Sequence, residues 1–384
     1  LYLEAAVVRW LADLVGWPGE SAMGLLLSGG SVATLTCLTV ARQWRAESEG
    51  WDVRRDGLRG AGGRRYVIYV SSQTHSSVTK AIELLGFGNS SIREIEILDD
   101  FRMDPAALAE AVQADRRSGN VPFTVVATAG TTNTGAVDPL ARIADICAEH
   151  RLWMHVDGAY GAIGVIDPQL APVYAGLGRA DSITLDPHKW LSVPIECGCA
   201  LVCDRDLMRR TFSLVPPYLR TEEGAGIGGP PSYAEYGIQQ TRGFRALKLW
   251  MTLQHVGRDG VRAQVARHVA LANYLAELVD DAPDLVRMAP VTLSVVCFRY
   301  VPPGQPWPDE YLDQLNRHLE IRVQNDGRVF LTATTLNGRF ALRACVLHYG
   351  TTQGDIQSLV AVVRELGQVT HTELQGGAAR SSLP

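Results

Sequence analysis

DSITLDPHKW, residues Asp181 to Trp190, closes a short apolar run on Asp186, Pro187, His188 and Lys189. A strand that stops at Asp-Pro hands the next side chains to the edge of a sheet. A lysine amine held there becomes a useful nucleophile when burial or neighbouring cations favour its neutral form. Lys189 is therefore read as the carrier of a cofactor aldehyde, against the plainer reading of a solvated loop lysine. The surrounding chain has to decide between them.

Working outward, residues 21–205 alternate short apolar runs with amphipathic ones, the pattern of an α/β domain on a mostly parallel sheet. Strands are expected at Tyr66–Val70, Ile92–Ile97, Phe123–Ala127, Trp153–Val156, Ser182–Leu185 and Gly198–Val202. Helices are expected between them, at Val32–Trp44, His75–Leu85, Pro105–Asp115 and Leu140–His150. Ligands of open α/β sheets gather beyond the carboxyl ends of strands, and His75, Thr131, Asp157 and Lys189 all follow expected strands. Residues 214–241 are rich in Pro, Gly and Tyr and read as a mobile functional loop.

Beyond that loop, helices at Arg245–Gln254 and Val261–Val279, strands at Thr292–Tyr300, Val329–Thr332 and Ala341–Leu347, and helices at Pro308–Leu319 and Gln353–Leu366 suggest a smaller α+β lobe. The expected organisation is a large domain over residues 1–245, a small one over 246–375 and a disordered tail over 376–384. Residue 1 is Leu, and LYLEAAVVRWLADLVGWP already has helical periodicity, as expected of a chain that enters mid-element and lacks an N-terminal segment.

Composition narrows the function classes. With 384 residues, 46% hydrophobic and 20% charged, the chain has ample material for a core. A net charge of −5 gives no electrostatic reason to expect nucleic acid. No apolar run approaches the length of a membrane span and no secretory signal is read at the start, so a cytoplasmic location is the default expectation. Seven scattered cysteines do not form a disulfide framework, and CGCALVC (Cys197, Cys199, Cys203) lacks a metal-binding knuckle, so no metal is expected.

Four further stretches bear on Lys189. Asp157 ends the run LWMHVDGAY, and an ionised carboxylate at the lip of a buried strand needs a cationic or hydrogen-bonding partner, such as a protonated pyridine nitrogen. Gly158 and Ala159 after it would let a flat ring approach. Ser28-Gly29-Gly30-Ser31 precedes an apolar helix, an arrangement of free amides suited to a phosphate and equally explained by ordinary capping. His75 opens a helix where its ring could face the same crevice, and Thr131 lies in ATAGTTNTG after another strand.

Taken in order, GGSVATL, HSSVTKA, AGTTNTGAVD, HVDGAYG, DPHKW and RGFRALKLW resemble the group II amino-acid decarboxylases, the family of aromatic-L-amino-acid decarboxylase, over Leu3 to Leu366. The resemblance implies an α/β, fold type I (aspartate aminotransferase-like) large domain with a smaller C-terminal α+β domain, acting as a homodimer with pyridoxal 5'-phosphate. It implies that Lys189 holds the cofactor, Asp157 pairs with its ring nitrogen, His75 stacks on the ring, and Gly30 and Ser31 contact the phosphate. Thr131 would lie near the ring's polar edge, Ala159 beneath it, and His188 beside the substrate. Asp186 stands where the family often has Asn, near the phosphate.

The family returns a proton to the α-carbon from a loop tyrosine, and Tyr233 matches best, with Tyr236 a close alternative. Relatives with Phe at this tyrosine, or Asn at the stacking histidine, form aldehydes. His75 and Tyr233 together therefore imply decarboxylation of a small-molecule amino acid. An aromatic substrate is the first expectation and an acidic or diamino one the second; Arg343, at a position that contacts substrate carboxylate in glutamate-selective relatives and is also Arg in aromatic-selective ones, discriminates little. The rival readings are aldehyde-forming oxidative deamination or transamination, and a truncated, inert cofactor-binding homologue acting as an interaction partner.

Overall fold

The computed structural model describes residues 1–17, 21–214 and 232–381. Two compact units emerge, one of residues 1–131 and 137–262, the other of residues 132–136 and 263–384.

The first unit is built on seven strands: β1 (Met23–Leu27), β2 (Tyr66–Ser71), β3 (Ile92–Ile95), β4 (Val121–Thr128), β5 (Trp153–Asp157), β6 (Ser182–Leu185) and β7 (Gly198–Val202). Their order is β1-β7-β6-β5-β4-β2-β3. β2, β3, β4, β5 and β6 pair in parallel, and only β7 runs against its neighbours. The sheet is thus mostly parallel, as the alternation of runs requires. Its central strands are buried on both faces, which is why they read as unbroken apolar runs.

Successive side chains of β2 show how both faces are covered. Tyr66, Ile68 and Val70 join the cluster formed with the helices Gly30–Ser48 and Ser76–Leu84. Tyr69 points the opposite way, and its hydroxyl donates to Asp115 Oδ2 (3.2 Å) on the helix Pro105–Arg117.

β1 was not among the expected strands. It is an edge strand whose outer side is closed by the helix Tyr2–Leu14, where the Leu26 N–H donates to Glu4 Oε1 at 3.1 Å. Glu4 is in turn paired with Arg242, Nη2 to Oε2 at 2.9 Å.

The second unit holds an antiparallel sheet of β8 (Leu285–Arg287), β9 (Val295–Tyr300), β10 (Thr332–Leu336) and β11 (Arg339–Cys345), ordered β10-β11-β9-β8. Its core joins Val296, Phe298 and Leu342 to the helices Asp309–Asp326 and Gln353–Ser381.

Several boundaries differ from expectation. β10 begins where the sequence ends its strand, because the alternation that pairs with β11 lies in the less apolar TATTL. Residues 376–381, expected to be a disordered tail, continue the last helix, and 382–384 lie outside the described residues. The division between units falls at 262/263, inside the helix Arg245–Asp281, which is interrupted at Gly257 (φ 68°). Most of the expected loop, residues 215–231, is outside the described residues. Among the described residues no helix is long and apolar enough to cross a membrane, and no three His, Cys, Asp or Glu side chains group as metal ligands would.

Candidate active site

Because β1, β2, β4, β5 and β6 share one direction, their carboxyl ends lie along one edge of the sheet. That edge carries Ser28–Ser31 after β1, His75 after β2, Thr131 after β4, Asp157 at the end of β5 and Asp186–Lys189 after β6. Of the buried side-chain oxygens among the described residues, two have no hydrogen-bond partner, Thr128 Oγ1 and Asp186 Oδ1, and both lie at this edge. Buried polar atoms without partners mark where a polar ligand or solvent has to satisfy them.

The turn after β6 is closed by the Lys189 N–H donating to the Asp186 carbonyl at 2.8 Å. Lys189 Nζ lies 3.2 Å from Asp186 Oδ2, with the lysine side chain 39% exposed and the carboxylate 3%. His188 Nε2 stands 3.6 Å from the same oxygen. The Cys197 N–H donates to His188 Nδ1 at 2.9 Å, so a neutral ring carries its proton on Nε2.

Two glycines let this turn meet the start of the helix Gly30–Ser48. A Cβ on Gly30 would stand 2.8 Å from Asp186 Oδ2 and 3.4 Å from the Ala159 Cβ. A Cβ on Gly198 would stand 2.5 Å from the Gly29 Cα, a contact only glycine permits. The helix starts without a side-chain cap. The Val32 and Ala33 amides turn back to the Gly29 carbonyl, while Gly30 and Ser31 contribute the first amides of the turn, the ones a helix leaves for an outside acceptor.

Asp157 is 6% exposed, and its Oδ1 accepts the Ala159 N–H at 3.1 Å. Two places before it on the same strand face stands His155, fully buried. Trp153 Nε1 donates to Ser182 Oγ (2.8 Å), which lies 2.9 Å from His155 Nδ1. The indole can only donate, so the serine oxygen keeps its hydrogen and a second acceptor site for Nδ1, while His155 Nε2 lies 3.4 Å from Thr184 Oγ1. Burial pushes the His155 ring down to about 4, with the Asp157 charge opposing. The ring that shares this strand face with Asp157 is therefore neutral at physiological pH.

His75 caps the helix Ser76–Leu84, Nδ1 accepting the Ser77 N–H at 3.2 Å, and its ring is exposed. Ser31 is exposed and Thr131 fully buried. The segment leading to Thr131 is pinned by Asp138, whose two oxygens accept the Met103 and Thr128 amides, each at 2.7 Å. Burial nevertheless pushes the Asp138 carboxyl up to about 6.

Tyr233 stands apart from this group. It is 2% exposed, its ring packs in the cluster that includes Leu25 and Leu27 of β1, and the Arg242 guanidinium lies 5.1 Å from the ring centre. Burial raises its phenol well above the usual range. Among the described residues no hydrogen bond joins Tyr233 to Lys189, Asp186 or Asp157, and Tyr236 is also buried. Arg343 belongs to the second unit, where its Nε donates to the Asn133 carbonyl at 3.3 Å.

His155 and Asp138 were not singled out in the sequence. The signal for His155 is its i, i+2 spacing from Asp157, which places both on one face of β5.

The chain matches the pyridoxal-dependent decarboxylase conserved domain over residues 1–301. It is 34% identical over 366 residues to an aromatic-L-amino-acid decarboxylase of Bacillus atrophaeus, a match covering 95% of this chain and 73% of that protein. It is 34% identical over 362 residues to tryptophan decarboxylase 1 of Oryza sativa subsp. japonica, covering 90% and 68%. Among solved structures it resembles Oryza sativa TDC with PLP and tryptamine, with a TM-score of 0.87, 31% identity and coverage of 96% and 76%.

Proposed function

The chain belongs to the pyridoxal-dependent decarboxylases, and on that footing we propose that it removes the carboxylate of an aromatic L-amino acid as carbon dioxide and releases the amine. Its cofactor is pyridoxal 5'-phosphate. The aromatic preference is supported by the similarity to decarboxylases of tryptophan and aromatic amino acids and to a structure that holds tryptamine.

The residues at the strand edge fit this cofactor. A lysine amine suits its aldehyde, a buried carboxylate suits its ring nitrogen, and a glycine turn at an uncapped helix start suits its phosphate. The unpartnered Thr128 hydroxyl at the same edge is consistent with a polar occupant. The convergence of these groups from separate strands is the observation that carries the reading.

When bound, the protonated cofactor ring accepts the electron pair left by the departing carboxylate. In the proposal Lys189 holds the cofactor, Asp157 keeps the ring nitrogen protonated, Gly30 and Ser31 bind the phosphate, and His75 and Ala159 flank the ring. Thr131 orients its polar edge, and His188 borders the substrate. Tyr233 is assigned the return of a proton to the α-carbon. Its ring has to leave the seat against β1 to act, and a phenol is protonated at neutral pH in either place, as a donor must be.

The test is to load purified protein with pyridoxal 5'-phosphate, offer a panel of amino acids, and measure carbon dioxide, amine, ammonia and aldehyde. Equal carbon dioxide and amine from an aromatic substrate is the expected result. Aldehyde with ammonia would instead support oxidative deamination, and cofactor binding with no turnover would support an inert homologue. Tyr233→Phe is expected to divert product towards aldehyde, and an unchanged product ratio removes Tyr233 from the chemistry.

A cytoplasmic homodimer completes the proposal, resting on the family resemblance. Sedimentation is expected to give twice the chain mass of 41.8 kDa, and an active monomer contradicts it.

A further inference from the structure

Asp186 holds an uneven partnership with Lys189. The carboxylate is 3% exposed on a backbone held by the turn, whereas the lysine is 39% exposed on a flexible stem. A buried carboxylate deprived of its cation is costly, so Asp186 favours whichever state leaves a free ammonium at position 189. Asp186 Oδ2 also lies 3.6 Å from His188 Nε2, the nitrogen that carries the proton of a neutral ring, so one donor stays beside the carboxylate when the lysine moves away.

We propose that Asp186 is the seat to which Lys189 returns as an ammonium each time a substrate amine displaces it from the cofactor. This positioning role rests on the function proposed above. It makes displacement by substrate easier and first capture of the cofactor harder. The carboxylate acts against capture in a second way, because it abuts Gly30 at the helix start assigned to the phosphate, where two anions compete. The two effects are separable, since pyridoxal carries the aldehyde without the phosphate.

The test titrates cofactor-free protein with pyridoxal and with pyridoxal 5'-phosphate, following visible absorbance, in the wild type, Asp186→Asn and Lys189→Ala. Loss of a partly exposed charge-assisted pair is expected to tighten pyridoxal capture about fivefold. Capture of the phosphate form should tighten at least as much, and the KM for the amino acid should rise. Unchanged pyridoxal capture with tighter capture of the phosphate form would mean that Asp186 acts on the phosphate alone and overturns the seat. Weaker capture of both would make Asp186 a support of the fold and overturn it too. Absence of any Lys189-dependent absorbance in the wild type defeats the proposed function itself, and the seat with it. Circular dichroism checks folding, and Asp186→Ser replaces the Asn variant if that variant does not fold.

Discussion

Asp157 shares a face of β5 with a buried histidine two places before it. His155 is neutral at physiological pH because burial pushes its ring from 6.5 to about 4. The folded-state value lies below the unfolded one, so between pH 6.5 and about 4 the unfolded chain takes the proton first. Stability contributed by this group is present above that window and lost as pH falls through it. Asp138 runs the other way. Its value is raised to about 6, so the folded chain protonates first and this group offsets part of the loss. His155→Gln is therefore expected to lose less stability than the wild type on acidification from pH 6.5 to 4, by up to roughly 3 kcal/mol. Urea unfolding at a series of pH values measures it, and parallel losses in the two proteins would contradict the account. The strand-end places of Asp157 and of the Asp186–Lys189 turn were legible in the sequence because each follows an apolar run. His155 was not, because its partner Ser182 is set by the register of β5 with β6. The burial of Tyr233 was equally hidden, since its neighbour Arg242 is held by Glu4, 238 residues away along the chain.

At the scale of elements, the edge of the sheet that bears the glycine turn is secured by one ion pair. Glu4, on the helix Tyr2–Leu14, takes the Leu26 N–H of β1 and the guanidinium of Arg242, and both charged side chains are largely buried. Removing one partner leaves a buried charge uncompensated. Arg242→Met is expected to cost roughly 3–5 kcal/mol in denaturant unfolding, with Glu4→Gln added to it recovering much of the loss. A single-variant loss below about 1 kcal/mol would show the pair to be no more than a surface bridge. Six of the seven strands in this sheet were legible as apolar runs bounded by turns. β1 was missed because five consecutive apolar residues show no period and lead straight into the glycine turn, which drew the reading to the helix instead. The misplacement of β10 has a related cause, as its face is defined by pairing with β11 and not by its own hydrophobicity.

For the molecule as a whole, the fold class was readable because alternating runs with strand-end polar residues admit few arrangements other than a mostly parallel α/β sheet. The division into units was less readable. Composition changes sharply over residues 214–241, yet the chain passes between units within the helix Arg245–Asp281, where nothing in composition changes. The short segment 132–136 also belongs with the second unit, where Asn133 Oδ1 accepts the Thr334 hydroxyl at 2.7 Å. That association joins residues 201 positions apart and leaves no local trace in the sequence. The chain has three lysines, Lys80, Lys189 and Lys248, so the carrier of the cofactor can be read from one peptide map. Protein loaded with pyridoxal 5'-phosphate, reduced with borohydride and digested, can be mapped by mass spectrometry. The fixed cofactor is expected on the peptide carrying Lys189 in stoichiometric yield, and a label on Lys80 or Lys248 with Lys189 unmodified would overturn Lys189 as its carrier.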